Sequence, residues 1–323
     1  MAFYTKIRKK DKKILEKTLN KKIYHIEGIK EGSENSNYFL KFKKKKKILT
    51  VLENEKNINE TIEIVDFLSK RTFIPKYYRN KKNNSFFFYI NKKKSLLSEF
   101  KEGKTKKLIK KIDSFKIGIF LSNLHKIGCE IISRKRNCFC YTKIGKYIKT
   151  LKKKIDRKTY SLILKIYKRN ISFISSKVYI KLPECLCHCD LFKDNVLFKK
   201  KSIGSVLDFH FSCVEKRLYD ISIHINEWCF EKKRINFKKI KYFLVGYSKY
   251  TKMKKKEYLN IYNFMLVTSL RFLITRLIGN KIHKKKKKST KHYINMIRFY
   301  LDKKKEIKKR IKKLYIYDRK FLS

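Results

Sequence analysis

The first hundred residues alternate apolar and polar side chains in short runs, a pattern that is typical of β-strands. The runs lie at 23–29, 37–42, 48–52, 86–90 and 95–100. Between the third and fourth runs the period becomes helical, with Ile58, Ile62, Val65 and Leu68 on one side of a helix over 57–70. This spacing predicts a small five-stranded antiparallel sheet with one helix.

The rest of the chain follows mainly the period of an α-helix. Helices are predicted over 105–127, 144–155, 161–174, 237–249, 258–277 and 293–314. The pattern changes near Gly103 without a long linker, so we expect a lobe boundary there. The prediction is an α+β fold with a β-rich lobe over 1–103 and a larger helical lobe over 104–323. Such a pair of lobes can enclose a nucleotide in a cleft.

Composition adds a very large positive charge. The chain has 323 residues, 87 Lys and Arg against 27 Asp and Glu, and a formal net charge of +60. When such charge is concentrated in one patch, it indicates a nucleic-acid or membrane-surface partner. Here the lysines run along the whole chain, so we interpret them as a solvated surface and expect no specific nucleic acid. A polyanion site is the alternative.

Nothing in the sequence indicates export or a membrane span, so we expect a cytoplasmic protein. Residues 1–13 are polar and basic, with no apolar stretch behind them. The most apolar predicted helix, over 262–279, contains Arg271 and Arg276, which argues against insertion into a membrane.

The eight cysteines are then expected to be reduced thiols. Their spacing leaves a zinc site as an alternative, formed by Cys138, Cys140, Cys187 and Cys189. C-x-C pairs do not have the spacing of known zinc knuckles, which makes this alternative the weaker one.

One segment interrupts the helical half and contains the candidate chemistry. Asp190 and Asn195 precede a short apolar strand, and Asp208 follows a second one. If these strands pair as a hairpin centred at 201–202, Asn195 lies directly opposite Asp208. An amide oxygen and a carboxylate at that separation can hold one hard cation, and Asp190 reaches the same point from the preceding loop.

Phosphoryl transfer requires these same parts. A metal ion neutralises the β- and γ-phosphates while a carboxylate accepts or orients the proton of the attacking hydroxyl. The order H-x-D-x4-N followed by D-F is the kinase arrangement, in which Asp190 is the base and His188 braces the loop. The structural alternative is that Asp190, Asp194 and Asn195 only cap turns.

Several longer stretches of sequence indicate which class of kinase the chain resembles. They are M-A-F-Y-T at the start, G-I-K-E-G-S-E-N-S-N-Y-F-L at 28–40, I-L-T-V-L-E at 48–53, L-D-F-H-F-S-C at 207–213, N-E-W-C-F at 226–230 and L-R-F-L-I-T-R-L at 270–277. In these strings the chain resembles the homoserine kinases of the aminoglycoside-phosphotransferase-like superfamily, from its first residues to near Leu277. The resemblance implies a protein-kinase-like fold and transfer of the γ-phosphoryl group of ATP to the hydroxyl of L-homoserine, a step of threonine biosynthesis.

The resemblance also implies binding residues. Asn195 and Asp208 would hold Mg²⁺, with Asp190 as the base. The nucleotide would contact a phosphate loop and a hinge, represented by Gly32, Ser33, Asn35, Ser36, Asn37 and Phe100. The third strand has Thr50 where most kinases have a phosphate-binding lysine, which leaves Lys47 or Lys41 as candidates.

Homoserine carries a carboxylate and an ammonium, so its pocket needs a cation and an acid. We expect Arg271 or Arg276 to bind the carboxylate, with Arg271 as the first choice. Asp220 or Glu227 would bind the ammonium, and structural salt bridges are the alternative for all of them. The alternative functions are a related choline, sugar or aminoglycoside kinase, and a basic nucleic-acid-binding or non-catalytic kinase-like protein.

Overall fold

Side chains of alternating burial build a sheet in the N-terminal part of the chain. A computed structural model describes residues 5–29, 35–53, 55, 58–131, 133, 135–281 and 289–322. The first elements are α1 (Lys9–Leu19), β1 (His25–Ile29), β2 (Ser36–Lys41), β3 (Lys46–Val51), α2 (Ile58–Ser69), β4 (Tyr77–Tyr78), β5 (Phe87–Ile90) and β6 (Lys93–Glu99). The strands form one sheet in the order β1-β2-β3-β6-β4, with β5 also paired to β6.

The two faces of this sheet have different surroundings. On β2, Tyr38 and Leu40 are buried, whereas Asn37 and Phe39 on the other face are half-buried. The buried face packs against Leu15 of α1 and continues into the core of the unit. The antiparallel register of β2 and β3 sets Asn37 opposite Thr50, which places polar side chains at the same end of both strands.

Two elements of this unit differ from the prediction. The sheet has six strands rather than five, because the two-residue strand β4 pairs with β6. Helix α1 was not expected, since only Leu15 among its apolar side chains is buried and most of its residues are charged. Its first turn is stabilised by Asp11, whose carboxylate accepts the backbone N–H of Arg8 at 2.9 Å.

The remaining residues are mainly helical, as predicted. Their elements are α3 (Lys111–Gly128), α4 (Tyr141–Leu151), α5 (Arg157–Ile174), α6 (Lys177–Ile180), β7 (Glu184–Cys187), β8 (Val196–Lys199), β9 (Ser202–Val206), β10 (Cys213–Lys216), α7 (Leu218–His224), β11 (Phe230–Glu231), β12 (Arg234–Ile235), α8 (Phe237–Tyr247), α9 (Lys255–Lys281), α10 (Lys291–Asp302) and α11 (Lys304–Leu322). The predicted single helix over 293–314 is two helices, α10 and α11, which are separated at Lys303.

Helix α9 is the long apolar helix of this part. By length and composition it could cross a membrane, but 83% of its most apolar 18-residue window is buried inside the protein. Its apolar residues therefore belong to the protein core, in agreement with the expectation from Arg271 and Arg276.

The chain divides into two compact units, and the β8–β9 hairpin mostly joins the first. The β-rich unit comprises 1–104 and 197–210, and the helical unit comprises 105–196 and 211–323. The prediction assigned 197–210 to the helical lobe. The structure places them with the sheet because Lys104 and Phe198 exchange backbone hydrogen bonds of 2.9 Å.

The turn of this hairpin also differs from the prediction. Strand β8 ends at Lys199 and β9 begins at Ser202, so the turn lies one residue earlier than expected. Lys200 has a φ of 53°, as a tight two-residue turn requires. The predicted register, which set Asn195 directly opposite Asp208, is therefore not the one that forms.

Candidate active site

A buried aspartate holds the loop that follows β7. Asp220 in α7 is fully buried, and its carboxylate accepts the backbone N–H groups of His188 at 2.6 Å and Cys189 at 2.7 Å. His125 Nε2 lies 3.1 Å from the same carboxylate, and Tyr247 Oη lies 2.7 Å from His125 Nδ1. These bonds fix the direction in which the loop leaves the strand.

The backbone of this loop turns sharply at Cys189. Its φ of 62° lies in the left-handed region, which is unfavourable for a residue with a Cβ atom and costs about 1–3 kcal/mol. The hydrogen bond from its N–H to Asp220 offsets part of this strain. The next residue, Asp190, is half-buried, whereas Cys189 is buried.

Asp190 lies beside a buried arginine and the amide of Asn195. Arg271 Nη1 is 3.3 Å from Asp190 Oδ1, and the two side chains are 5% and 18% exposed, respectively. Asn195 Nδ2 donates to the main-chain oxygen of Asp190 at 2.8 Å and lies 3.5 Å from Oδ2. The carboxylate is therefore oriented on one side and accessible on the other, as a general base must be.

A second carboxylate, that of Glu227, lies in the helical unit on a π-helical turn after α7. Tyr293 donates its hydroxyl to Glu227, and the Arg276 guanidinium stands 4.3 Å from the centre of the Tyr293 ring. Burial raises the pKa of Glu227 to about 7. The Tyr293 hydrogen bond, Arg276 and Lys193 act in the opposite direction, whereas the charge of Asp190 adds to the rise.

Arg276 itself has unused hydrogen-bonding capacity. Within the described part of the chain, its buried Nη1 atom has no hydrogen-bond partner. The rings of Phe192 and Phe272 pack edge to face at 4.7 Å beside it. A guanidinium N–H in apolar surroundings is well suited to bind a carboxylate oxygen.

Two predicted acceptor-binding residues, Asp220 and Arg271, have other contacts in the structure, and their binding of an acceptor stays a prediction. Asp220 is fully buried, and its carboxylate accepts from the loop backbone and contacts His125. Arg271 is 4% exposed, contacts Asp190, and is packed against the rings of Phe139 and Phe272 at 4.5 and 3.9 Å. The Asp220 carboxylate holds the loop backbone, and Arg271 contacts Asp190 on the same loop.

His188, which was placed with the catalytic residues, is fully buried. Its Nδ1 atom accepts the backbone N–H of Asp190 at 3.2 Å, and its own carbonyl oxygen accepts the Ser212 hydroxyl at 3.4 Å. These contacts stabilise the loop conformation, and His188 acts on Asp190 through the backbone.

The predicted phosphate loop is only partly described. Gly32 and Ser33 lie outside the described residues. Asn35 Oδ1 accepts the backbone N–H of Glu53 at 3.1 Å, and the Ser36 hydroxyl is buried, donating to Glu53 at 2.7 Å. Asn37 Oδ1 accepts the Thr50 hydroxyl at 2.8 Å. The Ser36 side chain thus ties β2 to Glu53, and its contact with a nucleotide stays a prediction.

The two lysines that were predicted as candidates for phosphate binding have different surroundings. Lys47 stands 3.6 Å from the centre of the Tyr78 ring, and burial together with nearby lysines lowers its pKa to about 8. Lys41 is exposed at the end of β2. Lys93 pairs with Glu53, the residue that also contacts Asn35 and Ser36. The sequence alone gave no signal for this pair.

The remaining predicted nucleotide and metal residues belong to the β-rich unit. The Phe100 ring packs edge-on against Phe39 with centroids 5.3 Å apart. Asp208 is exposed and has a φ of 62°, and its Oδ1 lies 3.4 Å from the backbone nitrogen of His210. An exposed carboxylate in this conformation is accessible to a cation.

The structure does not assemble the alternative zinc site. Among the described residues, the one group of three or more metal-binding side chains is His125, Cys185 and Cys187, without Cys138 or Cys140. Both ring nitrogens of His125 are already engaged by Asp220 and Tyr247. All eight cysteines are free thiols, as expected.

A sheet-containing unit, a helical unit and a loop with Asp190 and Asn195 define a kinase-like phosphotransferase. Residues 25–235 match the Phosphotransferase enzyme family, and the chain belongs to this family. It is an ATP-dependent phosphotransferase that acts on the alcohol group of a small molecule.

Individual relatives narrow the comparison. The chain is 28% identical over 258 residues to a homoserine kinase of Beijerinckia indica, which covers 78% of this chain and 80% of that protein. It is 27% identical over 284 residues to a homoserine kinase of Methylocella silvestris, with 86% and 88% covered. Among solved structures, the amicoumacin kinase hAmiN in complex with AMP-PNP superposes with a TM-score of 0.68 at 15% identity, covering 94% and 93% of the two chains.

Proposed function

We propose that the protein is a homoserine kinase that forms O-phospho-L-homoserine from ATP and L-homoserine. The observation that supports this acceptor is that Glu227 and Arg276 both contact Tyr293, in the helical unit that also contains Asp190. The carboxylate of Glu227 and the guanidinium of Arg276 match the ammonium and the carboxylate of an amino acid. The names of the relatives at 25–28% identity agree with this choice. A cytoplasmic location, where ATP and free amino acids are available, fits the proposal.

In the proposed reaction, the acceptor hydroxyl oxygen attacks the γ-phosphorus. The bond from that phosphorus to the bridging oxygen of ADP breaks, and Asp190 accepts the hydroxyl proton. Arg271 Nη1 at 3.3 Å and Asn195 Nδ2 at 3.5 Å orient the Asp190 carboxylate, which favours a reactive geometry.

We also propose that Asn195 and Asp208 hold Mg²⁺. The side-chain nitrogen of Asn195 is used by Asp190, so its oxygen is the atom that it can offer to a cation. Oxygen ligands of this kind are the ones that Mg²⁺ prefers, and the exposed carboxylate of Asp208 supplies another. Bound Mg²⁺ would neutralise charge on the transferred phosphate.

Glu227 and Arg276 take the place of Asp220 and Arg271 in the proposed acceptor site. The Glu227 carboxylate binds the ammonium of homoserine, and the unpartnered Nη1 of Arg276 binds its carboxylate. Choline fits this site less well. It has no carboxylate for Arg276, and its quaternary ammonium would meet the guanidinium that already covers the Tyr293 ring.

The test is ADP release with L-homoserine, L-serine, choline or an aminoglycoside as acceptor. We expect turnover with homoserine, and a decrease of roughly 100-fold to 10,000-fold in Asp190→Asn, the usual range for loss of a general base. Asp194→Asn is the matched control, because it changes an exposed carboxylate in the same segment. Turnover with another acceptor alone would overturn the homoserine assignment, and equal activity of the two variants would remove Asp190 as the base.

A further inference from the structure

Helix α10 lies outside the residues that match the family and contributes a side chain to the proposed acceptor site. Tyr293 is 1% exposed near the beginning of this helix, and its hydroxyl donates to Glu227. The same ring stands under Arg276 at 4.3 Å and stacks on Phe272 with centroids 6.0 Å apart. One side chain thus contacts both charged groups of the site.

Glu227 depends on this contact because its buried position opposes ionisation. Burial is the largest influence on its pKa and raises it, and the charge of Asp190 raises it further. The hydrogen bond from Tyr293 is the strongest opposing influence, followed by Arg276 and Lys193. Without the hydroxyl, the carboxylate would bind its proton more tightly and lose the negative charge that an ammonium requires.

The groups that face Glu227 come from several elements. They are Asp190 and Lys193 from the segment before β8, Arg276 from α9, and Tyr293 and Tyr300 from α10. Tyr300 differs from Tyr293 in its partner, since its hydroxyl donates to Asn226 Oδ1 at 2.8 Å. Among these neighbours, Tyr293 is the one that both donates a hydrogen bond to Glu227 and supports Arg276.

We propose that Tyr293 is a specificity-determining positioning residue, which orients the Glu227 carboxylate toward the ammonium of an amino-acid acceptor and holds Arg276 for its carboxylate. This inference rests on the proposed function, since it presumes an amino-acid acceptor. It adds a role for a residue in α10, where neither the catalytic motif nor the family match extends.

The kinetic test is Tyr293→Phe, which keeps the ring under Arg276 and removes only the hydroxyl. At pH 7, KM for L-homoserine should rise about tenfold, the effect of losing one hydrogen bond to an ionised carboxylate. KM for ATP and kcat at saturating homoserine should stay the same. Glu227 is ionised above its pKa, so KM falls as pH rises through about 7 in the wild type. In the variant this fall should move to higher pH.

Three comparisons separate the proposed role from a structural one. Tyr300→Phe removes a hydroxyl from a fully buried tyrosine of the same helix, and it should leave KM for homoserine unchanged. With 4-hydroxybutanoate, which lacks the ammonium, Tyr293→Phe should have no effect on KM. The double variant with Glu227→Gln should be no worse than Glu227→Gln alone, because both changes remove the same interaction.

A titration without substrate keeps this inference distinct from the proposed function. The ¹³C carboxyl resonance of Glu227, assigned by its loss in Glu227→Gln, should titrate at higher pH in Tyr293→Phe than in the wild type and in Tyr300→Phe. An unchanged titration overturns the role of Tyr293 even if homoserine is the substrate. A shifted titration in an enzyme that does not phosphorylate homoserine supports the contact with Glu227 and overturns the acceptor. If Tyr293→Phe raises KM equally for homoserine and 4-hydroxybutanoate, the proposed role of Tyr293 toward the ammonium is also overturned.

Discussion

The Asp220 carboxylate holds two backbone N–H groups of the catalytic loop, so replacing one of its oxygens by nitrogen is a sensitive test of that loop. In Asp220→Asn the side-chain nitrogen would face a backbone N–H of His188 or Cys189, leaving a buried donor without an acceptor. We expect a loss of about 2–4 kcal/mol in the free energy of unfolding, measured with urea. Asp194→Asn should stay within about 0.5 kcal/mol of the wild type, because Asp194 is exposed.

The same residue shows what sequence reasoning can and cannot assign. The spacing of Asp190 and Asn195 predicted that they act together, and the structure brings them into hydrogen-bond distance. The sequence cannot show which carboxylates accept hydrogen bonds from the backbone. Asp220 and Glu227 were therefore equally good candidates for binding an ammonium. Tyr293 had no signal, because it lies in a helix beyond the recognisable strings.

The crossing of α3 and α8 depends on two glycines that let the helix backbones approach closely. A Cβ atom on Gly118 would lie 2.1 Å from the carbonyl oxygen of Phe243, and one on Gly246 would lie 2.1 Å from that of Phe115. Neither oxygen can move without shifting its helix. Helix α3 also bears His125, which contacts Asp220, so this crossing positions part of the loop support.

Gly118→Ala should therefore destabilise the protein by at least about 2 kcal/mol, as overpacking against a backbone does. Gly279→Ala is the matched control in α9, where an added Cβ meets nothing within 4 Å. There the substitution should stabilise the helix by up to about 1 kcal/mol, because alanine loses less backbone entropy than glycine. Thermal unfolding of the two variants should move in opposite directions, and a shared direction would contradict the close crossing.

At the scale of elements, alternation and helical period predicted most strands and helices, because burial on one face imposes those periods. The failures have physical reasons as well. Helix α1 turns one apolar side chain, Leu15, into the core, so its charged sequence has little periodic signal. Strand β4 has two residues, which is too short to alternate. The hairpin turn at Lys200–Lys201 lacks the Asn-Gly signature that fixes such turns in sequence.

At the scale of the whole molecule, the net charge of +60 makes repulsion between like charges important, and this repulsion should be strongest where lysines cluster. The β2–β3 turn, over 42–45, lines a pocket of about 500 Å³ in the β-rich unit, together with Lys41, Lys46 and Phe100. Of the seven lysines around it, Lys101 and Lys199 pair with glutamates. The other five have no carboxylate within ion-pair distance in the described part of the chain. The lowered pKa of neighbouring Lys47 has burial as its largest cause and nearby lysines as the next.

A salt titration of two triple variants tests whether this turn is a local centre of repulsion. Replacing Lys43, Lys44 and Lys45 by glutamine should raise Tm at low salt, because three ammonium groups that face one pocket repel each other. Replacing Lys152, Lys153 and Lys154 removes the same charge from an exposed turn after α4, and should raise Tm less. Since the screening length falls from about 30 Å at 0.01 M salt to about 10 Å at 0.1 M, the difference should shrink as salt is added. Equal increases in both variants would show instead that the charge destabilises the fold uniformly, with no special contribution from the pocket.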